Sequence, residues 1–146
     1  MAVTDVDLGY RVIIDNLCKL DGTVSVGYFS DSGAYKSGIT VAEVAAKNEF
    51  GTSRIPARPF MRQTIEAHTG DWGDLAEGVE RRVADGMSVA QGLELIGNQA
   101  KGHVQETIGT GNFTPNSPVT IARKKSSQPL IDTGNMRARV SFKVEE

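Results

Sequence analysis

The stretch from residue 59 to residue 108 reads PFMRQTIEAHTGDWGDLAEGVERRVADGMSVAQGLELIGNQAKGHVQETI, and its spacing decides the fold class. Met61, Ile65, His68, Trp72, Leu75, Val79 and Val83 recur at intervals of three and four, the period of one helix face. Gly86 closes that run. Ser88-Val89-Ala90-Gln91 then fits a capping box and opens a second stripe at Val89, Leu93, Ile96, Ala100, Val104 and Ile108. Two long helices joined by so short a turn pack as an antiparallel pair. Gly70, Gly73 and Gly78 each weaken the first helix by roughly 1 kcal/mol relative to alanine, which predicts a kink near Gly70–Gly73. Pro59 suits the first position of that helix.

Upstream, Thr40-Val41-Ala42-Glu43 is another capping-box pattern and starts a shorter helix that runs to Gly51. Between them, Arg54-Ile55-Pro56-Ala57-Arg58-Pro59 is an extended, proline-stiffened connector, because each proline biases its predecessor away from helix. Thr23 to Phe29 is rich in β-branched and aromatic residues and reads as a strand, and Arg137 to Val144 alternates polar with apolar and reads as another. Val3, Val6, Tyr10, Ile13, Leu17 and Leu20 mark an N-terminal amphipathic helix ended by Asp21-Gly22. The span 109–128 is poor in apolar residues and too long for a plain connection, so a flexible loop is expected there, with one short helical turn starting at Ser117-Pro118. These elements make one α+β domain over residues 1–146: a small, antiparallel sheet on an antiparallel helix pair. Two strands alone are marginal, so further strands within 28–40 or 110–122, or a neighbouring chain, are needed to complete the sheet.

A chain of 146 residues has the length of a single domain with its own core. Its one cysteine, Cys18, cannot close an internal disulfide, and no apolar run approaches the roughly 20 residues that span a bilayer. The start MAVTDVDLGY lacks the features of a secretory signal, so synthesis in the cytoplasm and no membrane partner are expected. The net charge of −2 is unevenly spread. Residues 64–122 hold eight acids against Arg81, Arg82 and Lys101, whereas residues 123–143 hold Arg123, Lys124, Lys125, Arg137, Arg139 and Lys143 against Asp132 alone. Two solvated faces of a monomer explain this. So does a head-to-tail contact in which one subunit's basic face meets its neighbour's acidic face.

Catalytic chemistry has no visible home. There is no nucleophile elbow, phosphate loop or dinucleotide fingerprint. His68 lies on an apolar stripe, as a core or interface histidine would, and His103 is distant on another helix. No set of three or four convergent metal ligands is recognisable, and no cofactor or metal is expected. A helix-turn-helix regulator is the alternative, since Thr40-Val41-Ala42-Glu43-Val44-Ala45-Ala46 resembles its first helix. Against it stand the eight residues Gly51 to Arg58, where a turn of three or four is required, and an acidic pI of 5.7.

Three stretches carry a resemblance. Val41-Ala42-Glu43-Val44-Ala45-Ala46 through Asn48-Glu49-Phe50-Gly51, then Ile55-Pro56-Ala57-Arg58-Pro59-Phe60-Met61-Arg62, then Pro129-Leu130-Ile131-Asp132-Thr133-Gly134 occur in that order over residues 23–144. As a set they resemble the tail-completion or neck proteins of tailed bacteriophages, including the minor tail component of lambdoid phages. The resemblance implies a non-enzymatic virion protein at the head–tail junction, acting late in assembly. It also implies a homo-oligomeric ring around the DNA channel, contacting other neck and tail proteins. On that expectation Arg54, Pro56, Arg58, Phe60, Arg62, Arg123, Lys124, Lys125, Arg137 and Arg139 are candidate subunit-interface residues. Asp132, bonding backbone N–H groups of its own turn, and Gly134, at positive φ, would hold a turn. The three glycines between residues 70 and 78 depart from the family pattern.

Overall fold

The computed structural model describes residues 21–145, so the N-terminal helix expected over residues 3–20, and Cys18, lie outside the described residues. The element order is β1 (Thr23–Gly27), α1 (Val41–Phe50), α2 (Phe60–Ala84), α3 (Val89–Thr110), α4 (Pro118–Lys124), α5 (Asn135–Ala138) and β2 (Ser141–Glu145). The fold is α+β. α2 and α3 form the antiparallel pair, and α3 also packs against both strands of the sheet.

The helix starts follow side-chain chemistry. Ser88 Oγ accepts the Gln91 N–H at 3.2 Å, and Gln91 Oε1 accepts the Ser88 N–H at 3.3 Å, a complete capping box. At α1 only half of the box is made. Thr40 Oγ1 accepts from Glu43 N at 3.1 Å, but the Glu43 carboxylate turns to Lys47 Nζ at 2.7 Å. The start of α2 has no local cap: Pro59 occupies the N-cap position, with Phe60 the first helical residue. Its free N–H groups are taken by Glu49 of α1, whose carboxylate accepts Met61 N at 2.8 Å and Arg62 N at 3.2 Å.

α2 runs unbroken through its glycines. Nothing lies within 4 Å of where a Cβ would stand on Gly70, Gly73 or Gly78, so these positions weaken the helix without interrupting its packing. In α3 the glycines serve contact. A Cβ on Gly97 would sit 2.7 Å from Cγ and Cε2 of Phe142, so its absence lets β2 lie directly on the helix.

The sheet has two antiparallel strands, with Thr23 opposite Glu145 and Gly27 opposite Ser141. No third strand forms among the described residues; the 28–40 region contributes one isolated bridge, Ala34 to Thr40. β2 begins later than the alternation suggests, because Gly134, at φ 77°, turns the chain into the short helix α5 and Arg137 falls within it. Tyr28 Oη donates to the Met136 carbonyl at 2.9 Å and Gln105 Nε2 to the Arg137 carbonyl at 3.1 Å, which fixes that turn on the core. The span 109–128, expected as a loop with one short helical turn at Ser117-Pro118, holds the end of α3 and, at that place, the helix α4. Ser117 caps that helix, and Phe113 anchors the segment, 8% exposed. The core unites Val41, Ala45, Phe60, Val104, Ile108, Phe113, Leu130, Met136 and Val140.

Candidate functional site: a basic cleft and a histidine stack

Six of the residues singled out from sequence line one cleft. Arg54, Pro56, Arg58, Arg123, Lys124 and Asp132 border a cavity of about 820 Å³ between α1, the connector before α2, α4 and the turn before α5. The proline-rich connector forms one wall and α4 another. Arg54, Arg123 and Lys124 have no carboxylate partner among the described residues. Among the described residues, nothing neutralises their charge, which is available to solvent or to a partner's acids.

Arg58 is different in kind. It is only 6% exposed, and its guanidinium donates to the Thr114 carbonyl (Nε, 2.8 Å), Asn48 Oδ1 (3.4 Å), the Pro115 carbonyl (3.4 Å) and Asn116 Oδ1 (3.1 Å). All four acceptors are neutral, and burial lowers the guanidinium's pKa. Its own N–H donates to the Asn48 carbonyl at 2.6 Å. The side chain therefore ties α1, the connector and the 113–116 segment together inside one subunit. Phe60, 1% exposed and edge-on to Tyr28 at 6.3 Å, is likewise buried in the core and not presented to a neighbour. These two are corrections to the expected interface set. The sequence signs that mark them, charge and aromaticity beside proline, do not separate a buried clamp from an exposed contact.

Arg62, Lys125, Arg137 and Arg139 are exposed but stand outside the cleft lining. Lys125 ends α4 in the left-handed conformation, at φ 56°. Gly134 takes the positive φ expected of it. Asp132 makes no hydrogen bond to its own turn among the described residues; it borders the cleft, where its charge helps burial to raise the Tyr35 pKa. Gly51 to Pro59, held by the Asn48–Arg58 and Glu49–Met61 bonds, separates α1 from α2, so no tight helix-turn-helix forms there.

Sequence reasoning missed a second cluster. The chain's only two histidines meet across the helix pair: the rings of His68 and His103 stack with centroids 3.7 Å apart and planes 16° from parallel. Asp71 Oδ2 bonds His68 Nδ1 at 2.8 Å, and Trp72 Nε1 donates to His103 Nδ1 at 2.9 Å. The signal was present in the register. Gly92 of α3 lies against Val79 of α2. Eleven residues back along α2 and eleven forward along α3, about three helical turns each way, lead to His68 and His103.

Compared with family models, with curated proteins and with solved structures, the chain matches none of them. No helix of the described residues is long and apolar enough to cross a membrane.

Proposed function

We propose that this chain is a structural virion-assembly protein, a neck or tail-completion subunit of a tailed phage that joins head and tail as part of a homo-oligomeric ring. The observation that carries the reading is the cleft. Its three cations without a carboxylate partner among the described residues, Arg54, Arg123 and Lys124, are opposite in sign and complementary to exposed acids on α2, namely Glu66, Asp74, Glu77 and Glu80. Only Glu77 has a cationic partner among the described residues, Arg81 at 3.7 Å. A head-to-tail contact between copies would satisfy both surfaces, and repeating it around an axis closes a ring. Arg137 and Arg139 are further exposed cations outside the cleft. The three resembling motifs support the same reading, and two of them meet in space at the Asn48–Arg58 and Glu49–Met61 bonds, the first of which joins two residues lining the cleft.

Other neck and tail proteins are the further partners, and DNA passes through the ring without sequence-specific contact. No catalytic step belongs to this function.

Two experiments test it. Native mass measurement should show oligomers that weaken with salt and with Arg54→Glu plus Arg123→Glu, and that partly return when Glu77 and Glu80 are reversed to lysine. In a phage lysate lacking the protein, electron microscopy should show DNA-filled heads and separate tubes. Normal tailed virions in that lysate, or heads left empty, rule the assignment out.

A further inference from the structure

We propose that His68, Asp71 and His103 form a binding site for one divalent transition-metal ion of the kind imidazole prefers, zinc, nickel, cobalt or copper. The ion would pin α2 to α3, and the site is independent of the basic cleft.

The three residues come from two elements. His68 and Asp71 are three apart on α2 and share a face, while His103 projects from α3 opposite them. One donor atom from each lies within 4.8 Å of the other two. Ligands of a tetrahedral ion with bonds of about 2.0–2.2 Å stand roughly 3.4 Å apart, so side-chain rotation alone closes the set. Two imidazoles and a carboxylate, with water in the fourth position, suit these ions and not magnesium or calcium, which take oxygen ligands.

Hydrogen bonding defines the empty state. A carboxylate only accepts, so His68 carries its proton on Nδ1 toward Asp71. An indole only donates, so His103 Nδ1 is unprotonated toward Trp72. On binding, the ion takes the place of the His68 Nδ1 proton, which moves to Nε2. Asp71 Oδ2 is already 2.8 Å from that nitrogen and becomes the second ligand.

The rings now lie face to face, with lone pairs side by side instead of convergent. The His103 ring must therefore turn about χ2, a broad torsion. Whichever of its nitrogens then binds, Trp72 loses its acceptor: Nδ1 holds the ion, or carries a proton while Nε2 does. Trp72 is the chain's only tryptophan, so its fluorescence reports the event directly.

The full-length protein, stripped with chelator, is titrated with zinc chloride and with nickel chloride by calorimetry and tryptophan emission, with magnesium chloride as control. One ion per chain is expected, with heat and emission changing at the same midpoint and magnesium silent. His68→Gln, His103→Gln and Asp71→Asn should each weaken binding at least tenfold. Trp72→Phe frees the His103 nitrogen and should bind zinc by calorimetry at least as tightly as the parent. Cobalt in the unmodified protein, which requires no variant to fold, should show visible ligand-field bands. Absence of both heat and cobalt bands overturns the site. So does full-strength binding in the His103→Gln protein, because the ion would then lie elsewhere, and so does weaker binding in Trp72→Phe.

Discussion

Replacing Glu49 tests how the two halves of the fold are joined. Glu49 is 9% exposed, and its carboxylate accepts the first two free N–H groups of α2, Met61 at 2.8 Å and Arg62 at 3.2 Å, from twelve and thirteen residues away. Glu49→Gln keeps the shape but leaves one acceptor oxygen for two donors and removes the charge. A hydrogen bond to a charged group contributes about 1.5–3 kcal/mol, and a negative charge at a helix N-terminus about 0.3–1 kcal/mol. One bond lost and one weakened gives an expected cost of about 2 kcal/mol for Glu49→Gln, and about 3 kcal/mol for Glu49→Ala, which also leaves a void. For a chain of this size, 2 kcal/mol lowers the thermal midpoint by roughly 6–8 °C. Urea unfolding should give the same figure with an unchanged slope, and amide exchange at Met61 and Arg62 should quicken. The exposed Glu43→Gln is the control and should stay within about 0.5 kcal/mol of the parent. A Glu49→Gln protein as stable as that control would refute the cap.

Other expectations follow from the glycines, from Tyr28 and from Arg58. Gly73→Ala should raise stability by up to about 1 kcal/mol in denaturant melts, since open space surrounds it. Gly97→Ala should instead lower it by about 1–2 kcal/mol, because overpacking against Phe142 outweighs the helix-propensity gain. Burial, with Tyr35 nearby, raises the Tyr28 pKa above its ordinary value of 10.0. The folded state thus holds that proton more tightly, and the contribution to stability is intact below pH 10 and fades as pH rises beyond it. Tyr28→Phe should cost about 1 kcal/mol at neutral pH through the lost bond to Met136, yet show a shallower alkaline decline in a pH series of melts. Arg58→Lys supplies no planar fork for four acceptors and should destabilise the subunit itself, whereas Arg54→Lys should leave its melting unchanged.

The parts of the fold that sequence revealed are those governed by neighbours along the chain. Stripe spacing gave the α2–α3 pair, and Ser88 with Gln91 gave a start that the structure makes in full. What sequence concealed depends on partners far away. The beginning of α2 shows no capping residue because Glu49 supplies the cap from another helix. The helix stays continuous through Gly70 and Gly73, where packing of the stripe on α3 outweighs the propensity cost. Residues 137–140 alternate like a strand, but positive φ at Gly134 and the hydrogen bonds from Tyr28 and Gln105 commit the chain to α5 first. The cleft was half legible: its cations were named, while the inward turn of Arg58 depends on carbonyls at Thr114 and Pro115. The histidines lie 35 residues apart in sequence, and only the hairpin register brings them together.

The pairing of β1 with β2 bears on the order in which the protein can be built. Thr23 and Glu145 are partners about 120 residues apart, so the sheet cannot begin to pair until β2 has left the ribosome. Closing a loop of that length costs on the order of 4 kcal/mol in chain entropy, against little more than 1 kcal/mol for the short turn between α2 and α3. The helical hairpin therefore has every opportunity to form during synthesis, while β1, made before it, waits for β2. During that interval the apolar side of α3 that later receives Phe142 stands uncovered, including the bare backbone at Gly97. Folding in the cell is thus tied to translation, and slow elongation lengthens the period in which nascent chains can meet through that surface.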